Sequence, residues 1–176
     1  IAHFPPSWEE LAVARRRLVF EELFYFSIGL ALLRQRRTAE VGIRCANGDL
    51  RGFYALLPFQ LTGAQRRAAE DAARDLTRGV PMNRLLQGDV GSGKTVVGAA
   101  CVWLMAQNGY QSALMAPTEI LAQQHAQTLQ TLLAPSGIRV GLLTGSLRAA
   151  EKRKVYDAMA TGAVDLVVGT HALLTD

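Results

Sequence analysis

Leu86-Gln87-Gly88-Asp89-Val90-Gly91-Ser92-Gly93-Lys94-Thr95 is the stretch that decides the fold. Positions 88–95 match G-x-x-x-x-G-K-T at every fixed residue, with a short apolar run before them and a long helix-like run after them. Gly91 and Gly93 let the backbone turn tightly and aim successive N–H groups at one point. A helix starting near Lys94 brings the positive end of its dipole to the same place. A nucleoside triphosphate suits such a cradle. In this pattern Lys94 is expected to reach the β- and γ-phosphates and the Thr95 hydroxyl to bind Mg²⁺. ATP and Mg²⁺ are thus the expected cofactors, held by Gly88, Asp89, Val90, Gly91, Ser92, Gly93, Lys94 and Thr95. Lys94 and Thr95 are the expected catalytic residues.

Working outward, the chain alternates helix and strand. The spacing predicts a helix over 62–76, a short strand over 84–87 and a helix over 94–108 closed by Gly109. Strands follow over 112–116, 139–143 and 165–168, with helices over 119–134 and 147–160 between them. This order predicts an α/β fold: a P-loop nucleotide-hydrolase domain with a parallel sheet flanked by helices. Its crossovers are expected to be right-handed.

Upstream, residues 7–37 predict one long helix, with Ser7 and Glu10 placed for a capping box. Val19, Leu23, Phe26, Leu30 and Leu33 fall on one face of it. Arg15-Arg16-Arg17 and Arg34, Arg36 and Arg37 sit toward its two ends. Residues 38–58 lose the period, and Asn47-Gly48 suggests a loop or weak hairpin. The expected division is a helical linker segment, 1–58, and the N-terminal part of a P-loop α/β domain, 59–176. Both ends have the look of cuts from a longer protein.

Composition sets broad limits. Nearly half of the 176 residues are apolar, which suits a packed domain and excludes a disordered tail. The net charge of +4 permits an anionic partner without requiring one. Cys45 and Cys101 form no metal-ligand cluster and suit a reduced, cytoplasmic setting. No apolar run is long enough to span a bilayer, so no membrane partner is expected. His125 and His171 lack ligand-spaced partners. Lys152-Arg153-Lys154 suits a solvated helix face better than a DNA patch.

Four further turns carry chemistry. In Phe59-Gln60-Leu61-Thr62-Gly63-Ala64-Gln65, the Gln65 amide offers the donor and acceptor that an adenine edge needs. Thr62 and Gln65 also make a capping box that needs no ligand. Ala116-Pro117-Thr118-Glu119 opens a helix after a strand, where free N–H groups and the Thr118 hydroxyl suit a nucleic-acid phosphate. An ordinary N-cap by Thr118 is the alternative. Thr144-Gly145-Ser146 and Gly169-Thr170-His171 end the next two strands. All three of these turns fall at carboxyl ends of parallel strands, the edge where open α/β sheets bind ligands.

Taken in order, these blocks resemble the superfamily 2 helicases. Gly88–Thr95 is similar to their phosphate loop, residues 59–65 to their Q motif, and the turns at Pro117 and Thr118, Thr144 and Gly145, and Gly169 to His171 to their motifs Ia, Ib and Ic. Together with Arg15-Arg16-Arg17-Leu18-Val19-Phe20-Glu21-Glu22-Leu23-Phe24 and Val168-Gly169-Thr170-His171-Ala172-Leu173, they resemble the RecG family of bacterial DNA helicases. Mfd-type transcription-repair translocases are the nearest alternative. The resemblance implies a first RecA-like motor domain preceded by a helical segment. It implies ATP-driven translocation on double-stranded or branched DNA, remodelling of stalled forks and Holliday junctions, and a bacterial cytoplasmic, nucleoid-associated setting. It also implies Gln65 on adenine and Pro117, Thr118, Thr144, Gly145, Gly169, Thr170 and His171 along DNA. A second RecA-like domain and a wedge domain would be partners within the same protein. The family's Asp-Glu box, which holds Mg²⁺, is not found between Thr95 and Asp176. Little hydrolysis by this stretch alone is therefore expected. A nucleotide-binding module without turnover, or a P-loop kinase or GTPase, are the competing classes.

Overall fold

The computed structural model describes residues 3–38 and 41–174, leaving the side chains of 34–38 outside the described set. The cluster Arg34, Arg36 and Arg37 therefore lies outside the described side chains. The chain forms two compact units that divide after Gly42.

The first unit is a single helix, α1 (Trp8–Thr38). Ser7 opens it as expected, its Oγ accepting from the Glu10 N–H at 3.2 Å. Arg17 and Glu21 pair one turn apart at 2.7 Å, and Phe20 stacks on Phe24 at 5.7 Å between ring centroids. Val19, Leu23, Phe26, Leu30 and Leu33 are all exposed, and so are Phe20, Phe24 and Tyr25. Apolar side chains thus surround the helix more widely than the single stripe expected from the spacing.

The second unit starts at Ile43, ahead of the boundary expected at Pro58. Residues 41–50 form no strand, so the weak hairpin is absent, and a short helix, α2 (Arg51–Leu56), follows. Asn47 Oδ1 accepts from the Asp49 N–H at 2.9 Å, so the Asn-Gly pair makes a side-chain-closed turn instead of a hairpin. Phe53 is fully buried, with its ring 6.1 Å from that of Trp103. Burial of Cys45, Leu50 and Phe53 ties this segment to the main core.

Four more helices and three strands complete the unit: α3 (Gly63–Leu76), α4 (Lys94–Gln107), β1 (Ser112–Met115), α5 (Glu119–Leu133), β2 (Val140–Leu143), α6 (Ala149–Ala160) and β3 (Leu166–Gly169). Single 3₁₀ turns follow α5 and β3, at Ala134–Ser136 and His171–Leu173. The strands are parallel in the order β1-β3-β2. The chain steps outward over β3 through α5 and returns through α6. With crossovers of one hand, opposite steps send the two helices to opposite faces. The side chains of β3 agree. Leu166 and Val168 pack into the core with α3, α4 and α5, while Val167 packs with Leu143 and Val164 beside Val155 and Met159 of α6. The expected α/β architecture, a RecA-like parallel sheet covered on both faces, is what the chain adopts.

One expected strand is missing. Residues 84–87 form no strand, and Leu85 is exposed. A strand needs a neighbour for its N–H and C=O groups, and none of the described strands takes this segment as one. Arg84 instead ties it to α3, donating to Asp75 Oδ2 at 2.8 Å from Nε.

Candidate functional site

The loop at 88–93 connects that extended segment to α4. Ser92 N–H donates to the Asp89 carbonyl at 3.2 Å, closing the tight turn. Gly91 and Gly93 have φ of +80° and +79°, left-handed values that favour glycine. A Cβ at Gly88 would come within 2.7 Å of Ser92 Oγ, and one at Gly93 would overlap the Gln65 amide nitrogen. A side chain at either of these two glycines would therefore have to displace a neighbouring side chain of the loop or of α3. Lys94 Nζ donates to the Gly88 and Asp89 carbonyls at 2.8 and 2.7 Å. It curls over the cradle where a phosphate's oxygens would replace those carbonyls as its acceptors.

Gln65 sits against the same loop. Its Oε1 accepts from Thr62 N–H at 2.9 Å, and its backbone N–H donates to Thr62 Oγ1 at 3.2 Å, which completes the capping box on α3. Its Nε2 donates to the Ser92 carbonyl at 2.9 Å. The amide therefore clamps the start of α3 to the phosphate loop, and one N–H and one lone pair remain for a ligand.

Two cavities meet at Gln65 and Gly93. One, of about 420 Å³, is lined by Gly88, Asp89, Ser92 and Lys94. The other, of about 860 Å³, runs from Gly93, Thr95 and Val96 between Phe59 on one side and α5 on the other. Thr95 faces this larger space. Among the described residues no group of three or more His, Cys, Asp or Glu side chains is placed to hold a metal. The loop offers the Thr95 hydroxyl as an oxygen donor of the kind Mg²⁺ takes.

The three strand-end turns lie side by side. Met115 of β1 and Leu143 of β2 both register with Gly169 of β3. Ala116 N–H donates to the Gly169 carbonyl at 2.7 Å, and Thr170 N–H to the Leu143 carbonyl at 3.4 Å. A Cβ at Gly169 would overlap the Leu143 carbonyl, so close strand approach requires glycine there. Thr118 caps α5, accepting from the Leu121 N–H at 3.3 Å, while Pro117 and Thr118 stay exposed. His171 is exposed as well. Thr144 differs. It is buried, and its hydroxyl lies 3.2 Å from Ser146 Oγ, so its side chain shapes the turn and Gly145 and Ser146 present the surface.

Glu119 was not among the site residues expected from the sequence. Its Oε1 accepts from the Ser146 N–H at 2.9 Å and joins the turn after β1 to the turn after β2. Bonds from Ser146, first its hydroxyl and then its N–H, hold the Glu119 carboxyl below its ordinary range. The helix N-terminal position was legible in the sequence, whereas a partner 27 residues away was not.

A tight glycine-rich loop set beside three clustered strand-end turns on a parallel sheet defines a RecA-like P-loop domain. Residues 62–176 match the family model described as DEAD/DEAH box helicase, and the chain belongs to that family. Over 99% of its length it is similar to proteins named ATP-dependent DNA helicase RecG. It is 48% identical to that of Synechocystis sp., 46% to that of Streptococcus pneumoniae and 42% to that of Bacillus subtilis. It spans 21–26% of the length of these curated relatives. A solved structure of RecG bound to a three-way DNA junction superposes with a TM-score of 0.86 at 42% identity, over 97% of this chain and 24% of that one.

Proposed function

We propose that this chain is the nucleotide-binding part of an ATP-driven DNA motor that remodels branched DNA, including stalled forks and Holliday junctions, in recombination and repair. The observation that carries this reading is the pairing of a phosphate cradle with a row of strand-end turns on one small sheet. The relatives named ATP-dependent DNA helicase RecG, and the similar structure bound to a three-way junction, support the DNA substrate. They also favour RecG-type remodelling over an Mfd-type translocase. A bacterial cytoplasmic setting beside the nucleoid suits the same relatives, and no described helix is long and apolar enough to cross a membrane.

In this reading the backbone N–H groups of 88–95 hold the phosphate chain, and Lys94 leaves the Gly88 and Asp89 carbonyls to meet the β- and γ-phosphates. Thr95 supplies a hydroxyl ligand to Mg²⁺, which when bound offsets phosphate charge. Gln65 uses its remaining N–H and lone pair on the adenine edge. Thr118, Gly145, Ser146 and the 169–171 turn lie along DNA phosphates, with Thr144 and Glu119 fixing their shape. Residues 95–176 contain no Asp-Glu pair, so full turnover draws on an Asp-Glu box from the rest of this first RecA-like domain and on an arginine from the second. A wedge domain of the same protein would choose the branch.

Calorimetric titration with MgATP and MgGTP, with Lys94→Ala as control, tests the nucleotide half. Saturable ATP binding lost in the variant, with GTP weaker, is expected. Equal ATP affinity in the variant would remove the basis of the proposal.

A further inference from the structure

The turns proposed to lie along DNA are short of positive charge. Residues 116–121, 144–147 and 169–174 contain no Lys or Arg, and their one carboxylate is Glu119. The helix that leaves the first turn, α5, contains no Lys or Arg either. Backbone N–H groups and hydroxyls position a phosphate, but cations that neutralise phosphates supply the sequence-independent part of the affinity. Among the elements joined to these three turns, α6 alone brings cations: Arg148 at its N-cap, then Lys152, Arg153 and Lys154.

This basic run is not one patch. At 3.6 residues per turn, Lys152 and Lys154 point about 200° apart around the helix. Lys154 is exposed and stands between Glu151 and Asp157, three residues to either side on its own face. Lys152 has no acidic neighbour three or four residues away; those positions hold Arg148, Ala149, Val155 and Tyr156. The one ion pair on α6 among the described residues joins Arg148 to Glu151, at 3.4 Å, which leaves Lys152 without a partner. Val155, one turn on, packs toward Leu143 and Val167 of the sheet, and Lys152 beside it is half-buried. Its stem thus lies along the packed side of the helix while its charge stays free. That charge is felt at the turns: bonds from Ser146 chiefly hold the Glu119 carboxyl low, and Lys152 lowers it further.

We infer that Lys152 is the cation of the turn row, holding a DNA backbone phosphate beside those met by Gly145 and Ser146, whereas Lys154 faces solvent. The inference rests on the DNA reading of these turns and adds a phosphate-contacting residue to it. Three observations carry it: a row without a Lys or Arg of its own, an unpaired ammonium one turn into the helix that starts there, and a stem already held by packing. A held stem gives up less rotamer freedom on binding than a free surface lysine does. An ammonium is a point charge that reads no base edge, so the contact is indifferent to sequence.

The test is fluorescence anisotropy of the intact motor protein on two labelled blunt duplexes of different sequence, across a salt series. Native protein is compared with Lys152→Gln, Lys152→Arg and Lys154→Gln. Lys152→Gln should weaken binding several-fold at low salt, equally on both duplexes, and flatten the slope of log K against log salt by about 0.9, the counterion share of one phosphate. Lys152→Arg and Lys154→Gln should both keep the native slope, and MgATP affinity should be native in all three. Native affinity and slope in Lys152→Gln would overturn the inference. So would an equal loss in Lys154→Gln, which would make the effect one of net charge. A loss that Lys152→Arg does not restore would overturn it as well, because the stem and not the charge would then matter. Failure of the underlying DNA reading looks different: native protein would then show no salt-dependent affinity for either duplex.

Discussion

The Glu119 carboxylate accepts the Ser146 N–H at 2.9 Å, so a side chain in the first turn of α5 fixes the turn that follows β2. Gly145 lies under the same oxygen, where a Cβ would approach it to 3.1 Å. One acidic group therefore sets the spacing of two turns proposed to touch DNA. Glu119→Gln retains an acceptor but loses the charge-assisted strength of these bonds, which is roughly double that of neutral ones. DNA affinity of the intact motor is expected to fall, with nucleotide affinity unchanged. Gel-shift titrations on a three-way junction, run beside ATP calorimetry, would check this. Unchanged junction affinity would make Glu119 a purely local cap.

Gly91 and Gly93 share a left-handed φ but differ in their surroundings. Nothing lies within 4 Å of a Cβ at Gly91, whereas one at Gly93 would overlap the Gln65 amide. Gly91→Ala should therefore cost only backbone strain, about 1 kcal/mol. Gly93→Ala should add the loss of the bond between Gln65 and Ser92 and displace the loop, with ATP binding reduced well beyond the Gly91→Ala effect. Melting curves and calorimetry on both variants give the comparison. Equal losses would mean that Gln65 plays no part in holding the loop.

Some of this was legible in the sequence, for a physical reason. The phosphate loop's tight turn and the capping box of Thr62 and Gln65 are local: neighbours in the chain make the bonds that define them, so spacing alone reveals them. The helix and strand order followed from hydrophobic period, and the placement of the three turns at one sheet edge followed from parallel topology. What failed depended on distant partners. Residues 84–87 carry a strand-like composition, but a strand exists only with a neighbour. Residues 51–56 have no period of their own, and they fold as a helix because Phe53 finds Trp103 fifty residues later. Gln65 was identified for its chemistry, yet its bond to Ser92, 27 residues on, appears only in three dimensions.

Arg139 and Asp165 tie the start of β2 to the start of β3. Asp165 Oδ2 accepts from the Arg139 backbone N–H at 2.8 Å and from its guanidinium at 2.9 Å. The side-chain bonds from Arg139 hold the Asp165 carboxyl below its ordinary value of 3.8. A carboxyl whose folded-state pKa is depressed stabilises the fold fully above its unfolded value. That stabilisation is lost as the pH falls through the lower folded value. Asp165→Asn should be less stable than the native chain at neutral pH, and the two melting temperatures should converge as acidification passes below about pH 4. A constant difference across that range would show that the pair acts through packing and not through charge.

The compact unit that carries the phosphate loop is proposed to begin at Ile43, and two truncations discriminate this start from one at Pro58. Phe53 is fully buried against Trp103, and Gly52 meets the same indole, where a Cβ would come within 2.9 Å. Cys45 N–H donates to the Leu76 carbonyl at 3.0 Å and closes the end of α3. Asn108, which caps α4, donates to the Asn47 carbonyl at 3.0 Å and accepts the Asn47 N–H at 3.1 Å. Residues 43–57 thus hold the ends of both helices that flank the phosphate loop. A chain starting at Ile43 should melt at the temperature of the full chain and bind ATP equally. A chain starting at Phe59 exposes Trp103 and frees both helix ends. It should melt far lower or fail to fold. Phe53→Ala in the full chain grades the same effect, at about 3–5 kcal/mol for an aromatic ring removed from a core. At about 2–4 °C per kcal/mol for a domain of this size, the melting temperature should drop by roughly 6–20 °C. A chain starting at Phe59 that melts and binds like the longer one would place the boundary at Pro58 after all.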